Sequence, residues 1–128
     1  MKLSVNMEDF VPYELAKKLK EKGFREKCYK HYYPNIKDWF ISSLPECGNY
    51  SSYLDAPTIS QVLKWLREEK KMFVQISLFQ YCYDYCILDT EMVYYDNEHK
   101  VLHQGPTGYS YNEAALAGIE YILDNNLI

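Results

Sequence analysis

Residues 56–76 constrain this chain more than any other stretch. Thr58 and Gln61 stand three apart, the spacing at which each side chain can reach the other's orphan backbone N–H at a helix start. Pro57, just ahead of them, discourages an earlier start. Ile59, Val62, Leu63 and Leu66 then recur at i, i+3, i+4 and i+7, the stripe an amphipathic helix turns toward a core. Charge takes over around Arg67, and from Phe73 the period falls to two. Val74, Ile76 and Leu78 alternate there with Phe73, Gln75, Ser77 and Phe79. The segment predicts a helix laid across a sheet and running almost directly into one of its strands.

The flanks extend this pattern. Over 7–24, Leu15, Ala16 and Leu19 form an apolar stripe with Pro12 at an early helical position. Gly23 sits where a left-handed C-cap is wanted, and Phe24 follows to pack on the last turn. Residues 28–33 read as a short extended piece stopped by Pro34. No sustained period runs through the irregular segment 34–56, where Pro45, Gly48, Asn49 and paired serines mark loop. Its Trp39, Phe40, Ile41, Leu44, Tyr50, Tyr53 and Leu54 predict that it packs on the body, with a short strand or hairpin around 39–42 and 49–53.

After a break at Gln80-Tyr81, ribbons follow at 82–88, 92–95 and 100–104, with Asp96-Asn97-Glu98-His99 as a turn. Gly105 to Gly108 ends the sheet region. Ser110-Tyr111-Asn112-Glu113 is a strict capping box. The helix it opens buries Ala115, Ile119, Ile122 and Leu123, and Ala114 and Gly118 are small enough for another backbone to come close. The expected fold is α+β, one domain over 1–128, with an antiparallel three- to four-stranded meander and about three helices mainly on one face.

Three blocks, "PYELAKKLKEKGF", "APTISQVLKWLREEKKMFVQI" and "YSYNEAALAGIEYILDNNLI", resemble a family of small uncharacterised proteins of gut Bacteroidales genomes, their prophages and their bacteriophages. The central block, with Pro57-Thr58 and Trp65-Leu66-Arg67-Glu68, is the most specific; residues 25–54 are the least alike. The resemblance implies a phage-linked, intracellular setting. It brings no catalytic residues.

Composition narrows the function classes. A net charge of −4 and a pI near 5.3 argue against a nucleic-acid binder, because neutralising phosphates takes clustered Lys and Arg. No apolar run reaches the length of a membrane span, and the first residues are too polar for a signal peptide, so the expected address is cytoplasmic. Cys28, Cys47, Cys82 and Cys86 read as reduced, mostly buried thiols.

Cys82 and Cys86 with His31, His99 and His103 invite a zinc reading. On one continuous strand the two thiols would stand about 13 Å apart, too far for one ion. No strained elbow surrounds any cysteine, and Gly105-Pro106-Thr107-Gly108 lacks the lysine of a phosphate loop. No metal, cofactor or catalytic group is therefore expected. Fourteen tyrosines are the outlying count. Tyr81, Tyr83, Tyr85, Tyr94 and Tyr95 would decorate neighbouring strands, and a helix-free sheet face crowded with them would form a contact surface, unless segment 34–56 folds over it. The expected job is a non-enzymatic protein-interaction module that binds a protein partner or a second copy as a homodimer. The alternative is a small hydrolase or nucleotide-handling enzyme using Asp84 or Asp89 with His99 or His103.

Overall fold

Among the described residues, the computed structural model of this chain has three α-helices and two antiparallel three-stranded sheets, an α+β fold. It describes residues 9–33, 37–48, 53–89, 100–108 and 110–128. Two compact units divide it, Met1–Ile59 and Ser60–Ile128. None of the helices among the described residues is long and apolar enough to cross a membrane.

The first unit holds α1 (Tyr13–Glu21), β1 (Cys28–Tyr32), β2 (Trp39–Glu46) and β3 (Leu54–Ala56), with strand order β2-β1-β3. Helix α1 starts later than its apolar pattern suggests, for a backbone reason. Phe10 bridges Thr58, and the Val11 N–H donates to the Pro57 carbonyl at 2.9 Å, so the chain stays extended through Pro12. The C-terminal signals act as expected. Gly23 takes φ +90°, the Phe24 N–H donates to the Leu19 carbonyl at 3.0 Å, and Phe24 is fully buried.

The segment without a period supplies two of these strands. Strand β2 reaches beyond the expected 39–42 to Glu46 and tolerates Pro45 because it is an edge strand. Tyr32 packs edge-on against Tyr13 of α1, with ring centroids 5.1 Å apart.

Helix α2 (Ile59–Glu69) begins at the border of the units and buries Ile59, Val62, Trp65 and Leu66. The second unit continues with β4 (Met72–Phe79), β5 (Cys82–Asp89), β6 (Lys100–Gly108) and α3 (Tyr111–Asp124), in sheet order β4-β5-β6. Gln80, at φ +56°, and Tyr81 make the two-residue hairpin between β4 and β5. The expected ribbon at 92–95 lies outside the described residues.

Strand β6 runs on through Gly105, where the sheet was expected to end. A Cβ on Gly105 would lie 2.0 Å from the Tyr85 ring, so the glycine allows that ring to lie flat over its neighbour. The helix that covers this sheet is α3. Its start is capped as expected, the Ser110 hydroxyl accepting the Glu113 N–H at 3.1 Å. Gly118 lets α3 approach so closely that a Cβ there would meet Val74 Cγ1 at 2.7 Å.

Candidate functional site

Strand parity decides where the expected tyrosines go. In β5, Tyr83, Tyr85 and Ile87 share one side, and that is the side α3 covers. Tyr85 is 5% exposed, with its ring between Gly105 and Gly118. It is core, which corrects its expected place on a helix-free face: its period matches that of Ile87, the most buried residue of the strand. Burial, then the nearby Tyr121 and Glu120, push its hydroxyl above the usual tyrosine range. Tyr83 is half-buried, edge-on to Tyr111 at 6.2 Å. Tyr81 stands at the hairpin tip and is 93% exposed. Tyr94 and Tyr95 lie outside the described residues, as does His99.

Of the acid and imidazole groups expected to pair in this sheet, Asp84 and His103 are on opposite sides. His103 pairs with Ile87 across the sheet and stacks on Tyr121 at 3.6 Å, nearly coplanar. Asp84 has the opposite parity and projects from the other side of β5. Cys82 and Cys86 lie on one unbroken strand, so the spacing argument against a shared ion holds.

The titratable groups that do converge are in the first unit. His31 on β1 faces Phe40 of β2 and Asp55 of β3, so one sheet side collects all three. His31 Nδ1 lies 2.6 Å from Asp55 Oδ1, and both side chains are almost wholly buried. The same carboxylate oxygen accepts the Gly48 N–H at 2.8 Å. No larger residue fits position 48: a Cβ there would lie 2.6 Å from Asp55 Oδ1. A carboxylate only accepts, so the shared proton belongs on Nδ1, and in the neutral imidazole Nε2 is then the acceptor. Ser42 Oγ lies 3.3 Å from Nε2.

Strand alternation puts Ser42 on that side, two residues from Phe40, at the start of a bulge. Between the pairs Cys28↔Glu46 and Lys30↔Ile41, β2 spends five steps (46 − 41) against two on β1 (30 − 28). The extra residues loop out, and Ser42 Oγ also reaches the carbonyls of Leu44 at 2.7 Å and Tyr29 at 3.2 Å. Aromatic rings line the same side: Phe40 lies 5.2 Å from His31, 5.0 Å from Tyr33 and 5.1 Å from Tyr53.

Cys28 is fully buried close by, but is no nucleophile. Burial first, then the Asp55 carboxylate, Cys47 and Glu26, raise its thiol far above the usual range. On the other side of β1, Lys30 is buried with its ammonium 5.5 Å from the Phe10 ring, 5.1 Å from Tyr32 and 4.9 Å from Trp39. Burial lowers its pKa.

Sequence reasoning missed Ser42, His31 and Asp55 as a group. Each comes from a different strand, and no hydrophobic period runs through the segment that holds Ser42 and Asp55. No family model, curated protein or solved structure matches this chain.

Proposed function

We propose that this protein is an interaction module that docks a protein partner through the first unit's sheet, in the phage or mobile-element setting its sequence blocks suggest. One observation carries the reading. On and beside edge strand β2, Trp39, Ile41 and Leu44 are 40%, 40% and 71% exposed, and Tyr29 on β1 is 50% exposed. Solvent-facing apolar side chains grouped on one sheet are what a protein contact would cover, and lone ones are commonplace.

The edge itself supports the reading. The bulge, Pro45 and Glu46 blunt the far end of this edge, whereas Trp39 to Ile41 carry no charge, no proline and a regular register, so that stretch is the one open to pairing. An extended segment of a partner, or β2 of a second copy, could add to it by main-chain hydrogen bonds, with the apolar side chains adding specificity. Of the tyrosines expected at the contact, Tyr81 has the exposure for it, at a hairpin tip on the second unit.

Light scattering on eluting protein across a wide concentration range tests the self-pairing form. A rising mass that Leu44→Asp abolishes supports it. A strict monomer at every concentration removes it and leaves the partner form. That form is tested by cross-linking in phage-infected cells, where Trp39→Ala and Leu44→Asp should each lose the wild-type adduct. Adducts unchanged in both variants would end the docking reading.

A further inference from the structure

We infer that Ser42, His31 and Asp55 form a nucleophile–base–acid relay able to transfer the acyl group of small neutral esters. This goes beyond docking and does not depend on it. The three groups stand in the order such chemistry needs. Asp55 is buried and fixes the His31 tautomer through Nδ1, Nε2 faces the hydroxyl, and Ser42 is the half-buried member nearest solvent. The 3.3 Å between Nε2 and Oγ is slightly beyond the usual hydrogen-bond reach of about 3.2 Å, as resting nucleophile–base pairs commonly are.

The hydroxyl of Ser42 has one proton and three acceptors around it. The Leu44 carbonyl at 2.7 Å is the nearest and holds the proton at rest. Turning the O–H bond moves that proton from Leu44 to His31 with no heavy atom displaced, because Oγ already lies within reach of both. Strand alternation supports the placement: Ser42 stands two residues from Phe40, which faces His31, so both share the His31 side of the sheet, and the register shifts only beyond Ile41.

The reaction balances with water as the only co-reactant. Oγ adds to the ester carbonyl as its proton passes to Nε2. The tetrahedral intermediate collapses, the leaving alcohol takes that proton, and the acyl group stays on Ser42. Water, deprotonated by Nε2, then releases the acid and restores the serine. The substrate is neutral and apolar: the Asp55 charge is committed to His31 and Gly48, and the exposed large side chains beside Ser42 are Tyr29, Ile41 and Leu44.

The test treats the full chain with an alkyl fluorophosphonate, which forms an Oγ–P bond with loss of fluoride, and maps the adduct by peptide mass spectrometry. The expected result is an adduct on Ser42 ahead of every other serine and of exposed Tyr81. His31→Gln should slow labelling by at least about 100-fold, the low end for loss of a general base. Hydrolysis of 4-nitrophenyl acetate should fall to the uncatalysed rate in Ser42→Ala. Labelling of other residues alone, or equal Ser42 labelling in His31→Gln, would overturn the inference. If His31→Gln does not fold, the wild-type rate decides. Ser42 labelling that levels off with pH after one ionisation supports the relay, and labelling that rises in proportion to hydroxide throughout overturns it.

Discussion

The two sheets share strand number and antiparallel direction, yet they are held by different means. On the α3 side of β4-β5-β6 the buried groups include Met72, Val74, Tyr85 and Ile87, and two glycines cut the notches that receive the Tyr85 ring. Shape complementarity specifies that sheet. The β2-β1-β3 sheet instead buries Lys30, His31 and Asp55. Its strands are joined by charge-assisted hydrogen bonds on one side and by a ring-caged ammonium on the other. A three-residue strand such as β3 has few ladder bonds, so a buried carboxylate that grips both His31 and Gly48 gives it an anchor that pairing alone would not.

The sharpest way to break this contrast is Asp55→Ala. Removing one member of a buried, hydrogen-bonded pair should cost about 3–5 kcal/mol. Ser42→Ala, which removes only the half-buried hydroxyl, should cost no more than about 1.5 kcal/mol in the same chemical-denaturation measurement. Equal costs would mean that the pair does not anchor the sheet.

The second sheet responds to volume. Gly105→Ala should destabilise by about 1–3 kcal/mol, because its methyl must displace the Tyr85 ring. In a Tyr85→Ala background the same substitution should cost markedly less. A double-mutant cycle that finds the two changes additive would refute the notch.

The alkaline limb of stability probes the first unit again. The Cys28 thiol is raised in the folded chain, so its contribution is fully present below its ordinary value of 9.0 and is lost as pH rises above it. Wild type should lose up to about 1.4 kcal/mol per pH unit more steeply than Cys28→Ala above that point. Parallel curves from the two proteins would show that the thiol titrates freely. The smallest effect is local: Ser110→Ala should cost about 1 kcal/mol by loss of the α3 cap, with the sheet unaltered in circular dichroism.

Much of the second unit could be read from residue order. Strands β4 and β5, the break at Gln80-Tyr81, the Ser110 cap and the tight approach at Gly118 all rest on interactions within a few residues or on a period of two. The face assignment of Tyr85 went astray because alternation says which residues share a side, and says nothing of which side a helix will cover. In the first unit, Gly23 and Phe24 ended α1 as their order indicates, whereas β2 and β3 carry no sustained period and were legible only in part.

Local chemistry in the chain thus determined the helices, the C-cap of α1, the N-cap of α3, the α+β class and the regular hairpin, because each depends on neighbours a few positions apart. Tertiary structure alone decided that Asp55 meets His31 across 24 positions, that Ser42 lies against the same ring, and that Tyr85 is core while Leu44 faces solvent. Those outcomes depend on strand register and on which side of a sheet is covered. Both are set when distant segments pair, and neither leaves a period in the residues themselves.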